Sequence, residues 1–410
     1  MAQKHILNCG NNYFVEGGSD RCMMFLEDLL REKGNSVISF SSSNERNECN
    51  KYSAYFPLSI DTKKPEISKA ISYFYSLNAK NNMEKLLSDY DVSIAHLHIY
   101  YGKLTASILG PLKKRGIPII QTLHEYKLIC PNYSMVSHGK ICEKCEGRHY
   151  WRAMLERCKD GSMLKTGLRV VESYISRMLG DEGKIDHFIA VSKFIRNKMI
   201  EYGIDKRKIT TIHNFVDASK MAPNYSDEEY LLYFGRIENT KGIMTLVKAM
   251  RYLKDVQLVV AGDGNYREKI QEYLTRNGIF NVALVGHKSG ESLTELIRNC
   301  RACVLPSEWY ENCPMSLLEA YSYGKPVIGS NIGGIPELID EGVTGTLFSS
   351  GDVDHLIEGI SGIMGNRNRN RTIEMGRNAR NLVEQKFNRD VHYQKLAKVY
   401  GKFGHKLQGI

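Results

Sequence analysis

Val304-Leu305-Pro306-Ser307-Glu308-Trp309-Tyr310-Glu311-Asn312-Cys313-Pro314-Met315-Ser316-Leu317-Leu318-Glu319-Ala320 reads as a strand, a polar loop and the first turns of a helix. Apolar residues run up to Leu305, Pro306 stops them, and Pro314 suits a helix start, where its missing N–H is no loss. A strand feeding a helix through such a loop is the repeating piece of a doubly wound α/β domain, whose ligands sit outside the carboxyl ends of the strands. Glu311 lies on the loop and Glu319 on the helix, with seven residues between them. Two readings are open for the pair: a solvated loop charge and a helix-surface charge, or two carboxylates that accept hydroxyls of one ligand. Around Pro314, the amides of Asn312, Cys313 and Met315 stand at the helix start, where unpaired N–H groups and the positive dipole end suit a diphosphate.

Outward from this stretch the second half keeps one rhythm. Strand candidates fall at Leu231 to Phe234, Val256 to Ala261, Val282 to Val285 and Pro326 to Ile328, each ending in Gly, Pro or a polar residue. After the first come Arg236, a planar fork of donors, and Lys241, a point charge, together suited to a diphosphate and each equally readable as a surface cation. Gly262 and His287 follow two further strands, in turns where a base or ribose can approach the backbone. Gly333-Gly334 marks the same rim.

The first half is built alike, with strands expected at His5 to Cys9, Val37 to Phe40, Val92 to Leu97, Pro118 to Leu123 and His187 to Val191. Gly17 and Gly18 precede an apolar-periodic helix and read either as a ligand loop or as a plain turn before an N-cap at Ser19. They do not form the G-x-G-x-x-G dinucleotide fingerprint. His124 ends a strand and reads as a sugar ligand or as a satisfied structural imidazole.

A chain of 410 residues exceeds the size of one core, and 42% hydrophobic with 25% charged residues is ordinary for a globular protein. The expected division is a first Rossmann-like domain over 1–213, a linker over 214–229, a second Rossmann-like domain over 230–387, and an amphipathic closing helix over 388–410. The start of the chain has no signal-peptide core, and no stretch is long enough to span a bilayer, so a cytoplasmic place is expected. A net charge of +10 favours anionic partners. Nucleic acid is disfavoured, because the cations are dispersed and no recognition motif appears.

With these residues in hand, the chain resembles glycosyltransferase family 4, the retaining enzymes of GT-B architecture, in which two Rossmann-like domains face each other across a cleft and the last helix crosses back to the N-terminal domain. Its most specific element is the E-x7-E pattern of Glu311 and Glu319, with Arg236 and Lys241 ahead of it. The resemblance implies that Glu319 binds ribose and that Glu311 acts near the reacting carbon of the transferred sugar. It also implies that Arg236 and Lys241 hold the diphosphate of a UDP- or GDP-type donor, that Gly17 and Gly18 lie beside the phosphates, and that His124 touches the donor sugar. Metal is not implied, and no Asp-x-Asp motif stands in a suitable loop. The implied acceptor is a glycan or a lipid-diphosphate-linked one, in bacterial surface polysaccharide synthesis. A sugar-nucleotide epimerase of the same architecture and a non-enzymatic anion- or nucleic-acid-binding protein are the alternatives.

Two further segments stand outside this scheme. Cys130, Cys142, Cys145 and Cys158 form a C-x2-C pair with two flanking thiols, readable as a structural zinc site over an insertion at 127–160 or as reduced, partly buried thiols. Arg148, Tyr150, Trp151 and Arg152 read as a basic aromatic patch for an anionic membrane surface or as ordinary solvated surface.

Overall fold

The apolar runs of the first half become strands β1 (His5–Cys9), β2 (Val37–Phe40), β3 (Val92–Leu97) and β4 (Ile119–Leu123). A small hairpin of β5 (Val136–Ser137) and β6 (Lys140–Ile141) follows, then β7 (His187–Ala190) and β8 (Ile209–Thr211). The second half supplies β9 (Tyr230–Phe234), β10 (Gln257–Ala261), β11 (Val282–Gly286), β12 (Ala302–Leu305), β13 (Val327–Ser330) and β14 (Gly345–Phe348). The structure is a computed structural model that describes residues 4–59 and 72–409. It divides into two units: one holds the described residues up to Ser134, Glu143–His213 and the chain from His392, the other Met135–Cys142 and Asn214–Val391.

Each unit is built on a six-stranded parallel sheet, ordered β2-β1-β3-β4-β7-β8 in the first and β11-β10-β9-β12-β13-β14 in the second. Numbered within its own unit, the second sheet runs 3-2-1-4-5-6, the Rossmann order, and the first runs 2-1-3-4-5-6. The strand order therefore reverses between β9 and β12 in one sheet and between β1 and β3 in the other. The α/β doubly wound class expected from the sequence is what forms.

Parallel strands covered by helices on both faces should be apolar throughout rather than alternating. β9, β12 and β13 are buried at every residue. Leu231, Val260, Val304 and Ile328 of this sheet pack with Ile243 and Leu246 of the helix Ile243–Met250 in one core. The edge strands β8 and β14 are short and only partly buried, and their Ile-Thr-Thr and Gly-Thr-Leu-Phe sequences carry no apolar run.

The closing segment forms the helix Arg389–Gly401 and belongs to the first unit from His392 onward. Its apolar positions Tyr393, Leu396, Val399 and Tyr400 are fully buried. Asn35 Nδ2 donates to the Tyr393 hydroxyl at 2.7 Å, and the Tyr400 hydroxyl bonds His96 Nδ1 at 2.7 Å. The helix stops at Gly401, short of the expected end of the segment 388–410.

The polar stretch expected to be a linker is held by the second unit. Arg301, buried, donates to Asp227 at 3.0 Å, to Glu229 at 2.9 Å and to the Met364 carbonyl at 2.8 Å. Asp227 and Glu229 are its counter-ions. Arg301→Ala is expected to destabilise this unit by about 2–3 kcal/mol, because it leaves the Met364 carbonyl without its donor and Asp227 with only the half-exposed Arg369 at 3.4 Å; chemical denaturation followed by tryptophan fluorescence tests this, and an unchanged midpoint would contradict it.

The basic aromatic patch is not assembled as read. Tyr150 is buried, donating to the Leu128 carbonyl at 2.8 Å, and Arg148 is spent on Glu182 at 2.5 Å and the Tyr202 carbonyl at 2.9 Å. Of the two aromatics, only Trp151 stays exposed. Among the described residues no group of three or more His, Cys, Asp or Glu side chains is placed to hold a metal, so the zinc reading of Cys130, Cys142, Cys145 and Cys158 gains no support. Cys145 and Cys158 instead pack with Tyr150, Ala153 and Val170 as small soft apolar groups.

Candidate functional site

At the reversal point of the second sheet, β12 runs out into Pro306-Ser307 and the loop to Glu311, and β9 into Gly235-Arg236. The loop after β9 turns through Lys241 into the helix Ile243–Met250. Gly242 makes this possible. Its φ is +68°, and a Cβ there would lie 1.7 Å from the Pro306 carbonyl oxygen, so only glycine lets the two loops touch. Gly242→Ala is expected to cost at least about 2 kcal/mol, from left-handed strain and the clash together; a urea midpoint within error of the parent protein would count against this packing.

Held this way, Lys241 Nζ meets Glu311 Oε1 at 2.7 Å, with both side chains largely buried. Ser307 Oγ donates to the same carboxylate oxygen at 2.8 Å, and the Lys241 ammonium lies 4.7 Å from the Trp309 ring centroid. The Gly334 amide donates to the Glu311 carbonyl at 2.6 Å, which fixes the backbone from the β13 side. Burial opposes ionisation of Glu311, but the Lys241 charge and the hydrogen bonds from Lys241 and Ser307 outweigh it and hold the carboxyl below its usual range. Glu311 is therefore an anion at neutral pH.

Glu319 sits in the second turn of the helix Met315–Ser322, 8% exposed. The surface-charge reading of the two glutamates does not hold, since both are buried. Pro314 is the N-cap, and the helix opens with the amides of Met315 and Ser316. Cys313 is buried, its carbonyl accepts from Asn214 Nδ2 at 2.9 Å, and burial pushes its thiol up to about 12. Arg236 remains exposed and pairs with Glu238 at 2.8 Å; the Tyr233 hydroxyl donates to the Arg236 carbonyl.

Gly262 follows β10, and a Cβ there would lie 1.9 Å from the Gly235 carbonyl oxygen. The Gly235 amide donates to Ala261 at 3.0 Å and the Gly262 amide to Gly286 at 2.8 Å, so backbone alone knits three strand ends together. His287 follows on the edge strand and is exposed.

In the first unit the reversal point lies between β1 and β3, and there the structure shows what single segments could not. His98, one residue beyond β3, bonds Asn8 Oδ1 through Nε2 at 3.2 Å and His124 Nε2 through Nδ1 at 2.9 Å. Asn8 in turn donates to Glu27 Oε2 at 3.1 Å and to the Met23 carbonyl, which turns its amide oxygen toward His98. His98 Nε2 thus carries the proton, and its Nδ1 accepts from His124. His96 stacks on His98 at 4.8 Å and His98 on His124 at 5.2 Å. Burial lowers His124 to about 4, so it is a neutral, oriented imidazole. The cap of the helix Gly18–Glu32 is Gly17 and not Ser19: Asp20 reaches back to the Gly17 amide at 3.1 Å. Nothing lies within 4 Å of a Cβ added at Gly17.

The sequence profile described as Glycosyltransferase Family 4 matches residues 16–220, and that of Glycosyl transferases group 1 matches residues 217–382. An uncharacterized glycosyltransferase of Methanocaldococcus jannaschii is 28% identical over 52% of this chain and 59% of its own length. The lipopolysaccharide 1,6-galactosyltransferase of Salmonella typhimurium is 32% identical over 43% of this chain and 53% of its own length. The chain thus spans little more than half the length of these relatives. The crystal structure of Anabaena HepE in complex with UDP shares the fold, with a TM-score of 0.66 and 16% identity over 97% of this chain and 100% of that one. The first profile covers half of the chain and the second takes up where it ends, so this chain belongs to glycosyltransferase family 4.

Proposed function

We propose that this chain is a retaining glycosyltransferase that moves a sugar from a nucleoside diphosphate to a glycan or a lipid-diphosphate-linked acceptor in building a bacterial surface polysaccharide. The observation that carries the reading is the buried Lys241–Glu311 pair at the sheet's reversal point. Two charges withdrawn from water cost several kcal/mol each in desolvation, which a structural pair rarely recovers. A diphosphate arriving there would take over Lys241 and leave Glu311 to the transferred sugar.

The other residues follow from that placement. Glu319 would accept the ribose hydroxyls, and Met315 and the neighbouring amides at the helix start would donate to phosphate. Arg236, on its exposed side chain, would turn from Glu238 to the diphosphate. Gly262 and His287 would border the base. Open space at Gly17 suits approach of a phosphate to the backbone there, and neutral His124 would hydrogen-bond the donor sugar. In the reaction the bond from the anomeric carbon to the diphosphate oxygen breaks as the acceptor oxygen bonds to the same face. The acceptor proton passes to the departing diphosphate. Lys241 and Arg236 stabilise the charge that develops on the leaving group, so the proposed reaction needs no added metal.

UDP in Anabaena HepE supports a uridine donor, and the Salmonella relative supports a role in surface polysaccharide. We place the reaction at the cytoplasmic face of the membrane. To test this, purified protein with EDTA would be given UDP- and GDP-sugars, with and without a lipid-diphosphate-linked sugar acceptor, and the products read by NMR. The expected product keeps the donor's anomeric configuration and forms only with acceptor. A donor rearranged without acceptor would identify an epimerase instead.

A further inference from the structure

Beside the histidine chain, the first unit holds a second polar cluster, built from β4, the segment that follows it and the helix Met163–Met178. Gln121 stands on β4 opposite Leu97, the last residue of β3, and so at the carboxyl edge of the sheet, where doubly wound domains take their ligands. Its side chain is buried, and its Nε2 donates to the Tyr101 hydroxyl. Lys127, also buried, meets Glu172 Oε2 at 2.7 Å, and the Tyr73 and Tyr133 hydroxyls donate to the same oxygen at 3.2 and 3.3 Å. The Arg169 guanidinium lies 4.0 Å from the centroid of the Tyr133 ring. Tyr133 holds a φ of +69°, an outlying conformation for a bulky residue and of the kind that collects at ligand sites.

This network is not closed. Gln121 Oε1, Glu125 Oε1 and Arg169 Nη1 are shielded from water and have no hydrogen-bond partner among the described residues. A buried polar atom without a partner carries its full desolvation cost, and a purely structural network would pair such atoms with one another. The three lie in one neighbourhood: the charges of Lys127 and Arg169 act on Glu125, and that of Glu125 acts on Tyr101. Burial still outweighs the two cations and raises the Glu125 carboxyl to about 7.

We infer that Gln121, Glu125 and Arg169 form a subsite for an uncharged sugar unit of the acceptor, whose hydroxyls supply the missing partners. The inference rests on the transferase reading above and names the chemistry that the acceptor presents to these residues. Charge decides the class. Lys127 is neutralised by Glu172, and the Arg169 cation stands against the Glu125 carboxylate, so no excess positive charge is left to hold a phosphate. A sugar hydroxyl both donates and accepts, and neighbouring hydroxyls therefore satisfy an amide oxygen, a carboxylate and a guanidinium together. Glu125, Arg169, Tyr73 and Tyr133 are half-buried, so the cluster is not sealed inside the core. Glu125 adjoins His124 in the chain, which sets the acceptor hydroxyls beside the imidazole proposed for the donor sugar.

The test is saturation-transfer NMR of the full-length protein with the methyl glycosides of glucose, galactose, mannose and N-acetylglucosamine, in the presence of UDP, with inorganic pyrophosphate as the anionic competitor. The parent protein should bind at least one glycoside, and pyrophosphate should not displace it. Glu125→Met and Arg169→Met should each weaken that binding by about tenfold, the loss expected for a hydrogen bond to a charged group. Glu125→Met should also keep or raise the melting temperature at pH 8, since it removes a carboxylate whose ionisation the fold opposes. Circular dichroism on each variant reports folding, and the thermal shift produced by UDP reports the donor site. Loss of the UDP shift with glycoside binding intact would count against the donor-site reading and leave the subsite supported. A parent protein that binds no glycoside overturns the inference, as does equal glycoside binding by both variants. Displacement of the glycoside by pyrophosphate in the parent but not in Arg169→Met would overturn it as well, by making the cluster an anion site.

Discussion

Lys241→Ala is expected to lower kcat/KM for transfer by about 10²–10³-fold, the usual loss when one buried stabiliser of a departing charge is removed. The loss should fall mainly on kcat. Lys241 is already satisfied by Glu311, at 2.7 Å, so the bonds it forms to a leaving diphosphate gain most as negative charge builds there. The same substitution leaves Glu311 buried without its cation, and stability should drop as well. Melting temperature measured beside the kinetics separates the two effects, and Lys241→Arg supplies a folded control that keeps the charge but not the compact ammonium. A Lys241→Ala enzyme with unchanged kcat would remove Lys241 from the reaction.

The second large effect is on stability in acid. Burial is the main cause that lowers His96 to about 3 and His124 and His392 to about 4, from an ordinary value of 6.5, and it holds His98 well below that value too. In the native state these rings stay neutral, whereas in the unfolded chain they take up protons below about pH 6.5. The stability they contribute is therefore complete above that value and is lost as pH falls through the window from about 6.5 to about 4. Between pH 7.5 and 5, each of them should cost about 2 kcal/mol. Glu125 works the other way: burial raises it to about 7, so its contribution is lost as pH rises from about 4.5 to 7, and acidification returns roughly one histidine's share. The net expectation is a steep fall in urea midpoint from pH 7 to 5. His96→Asn should reduce that slope by about 1.4 kcal/mol per pH unit. A midpoint flat across this range would mean that the histidine chain is hydrated rather than packed.

That chain also shows why part of the site is not legible in the sequence. His98, Asn8, Glu27 and His124 are hydrogen-bonded across sequence separations of up to 90 residues, and the strand order brings them together. No spacing announces it. Buried central strands were easier to read, because cover on both faces demands unbroken apolar runs, as in Leu231 to Phe234. The edge strands Ile209–Thr211 and Gly345–Phe348 lack that demand and left no such signature. Glu311 and Glu319 could be named from their residue types beside a helix start, yet their burial, the Ser307 hydrogen bond and the Trp309 face beneath Lys241 depend on the loop's path. Tyr150 and Arg148 mark the opposite failure. Their residue types suggested a surface patch, while a backbone carbonyl and a glutamate inside the fold claim them.

The most direct measurement of the central claim is the thermal shift of the protein with UDP- and GDP-sugars in the presence of EDTA, repeated on Lys241→Ala and Glu319→Ala. The account predicts a rise in melting temperature with one nucleotide class, as mass action requires of a ligand bound to the native state, and its loss in both variants. No rise with any nucleotide sugar, or an equal rise in the parent protein and both variants, would contradict the placement of the donor at Lys241, Glu311 and Glu319.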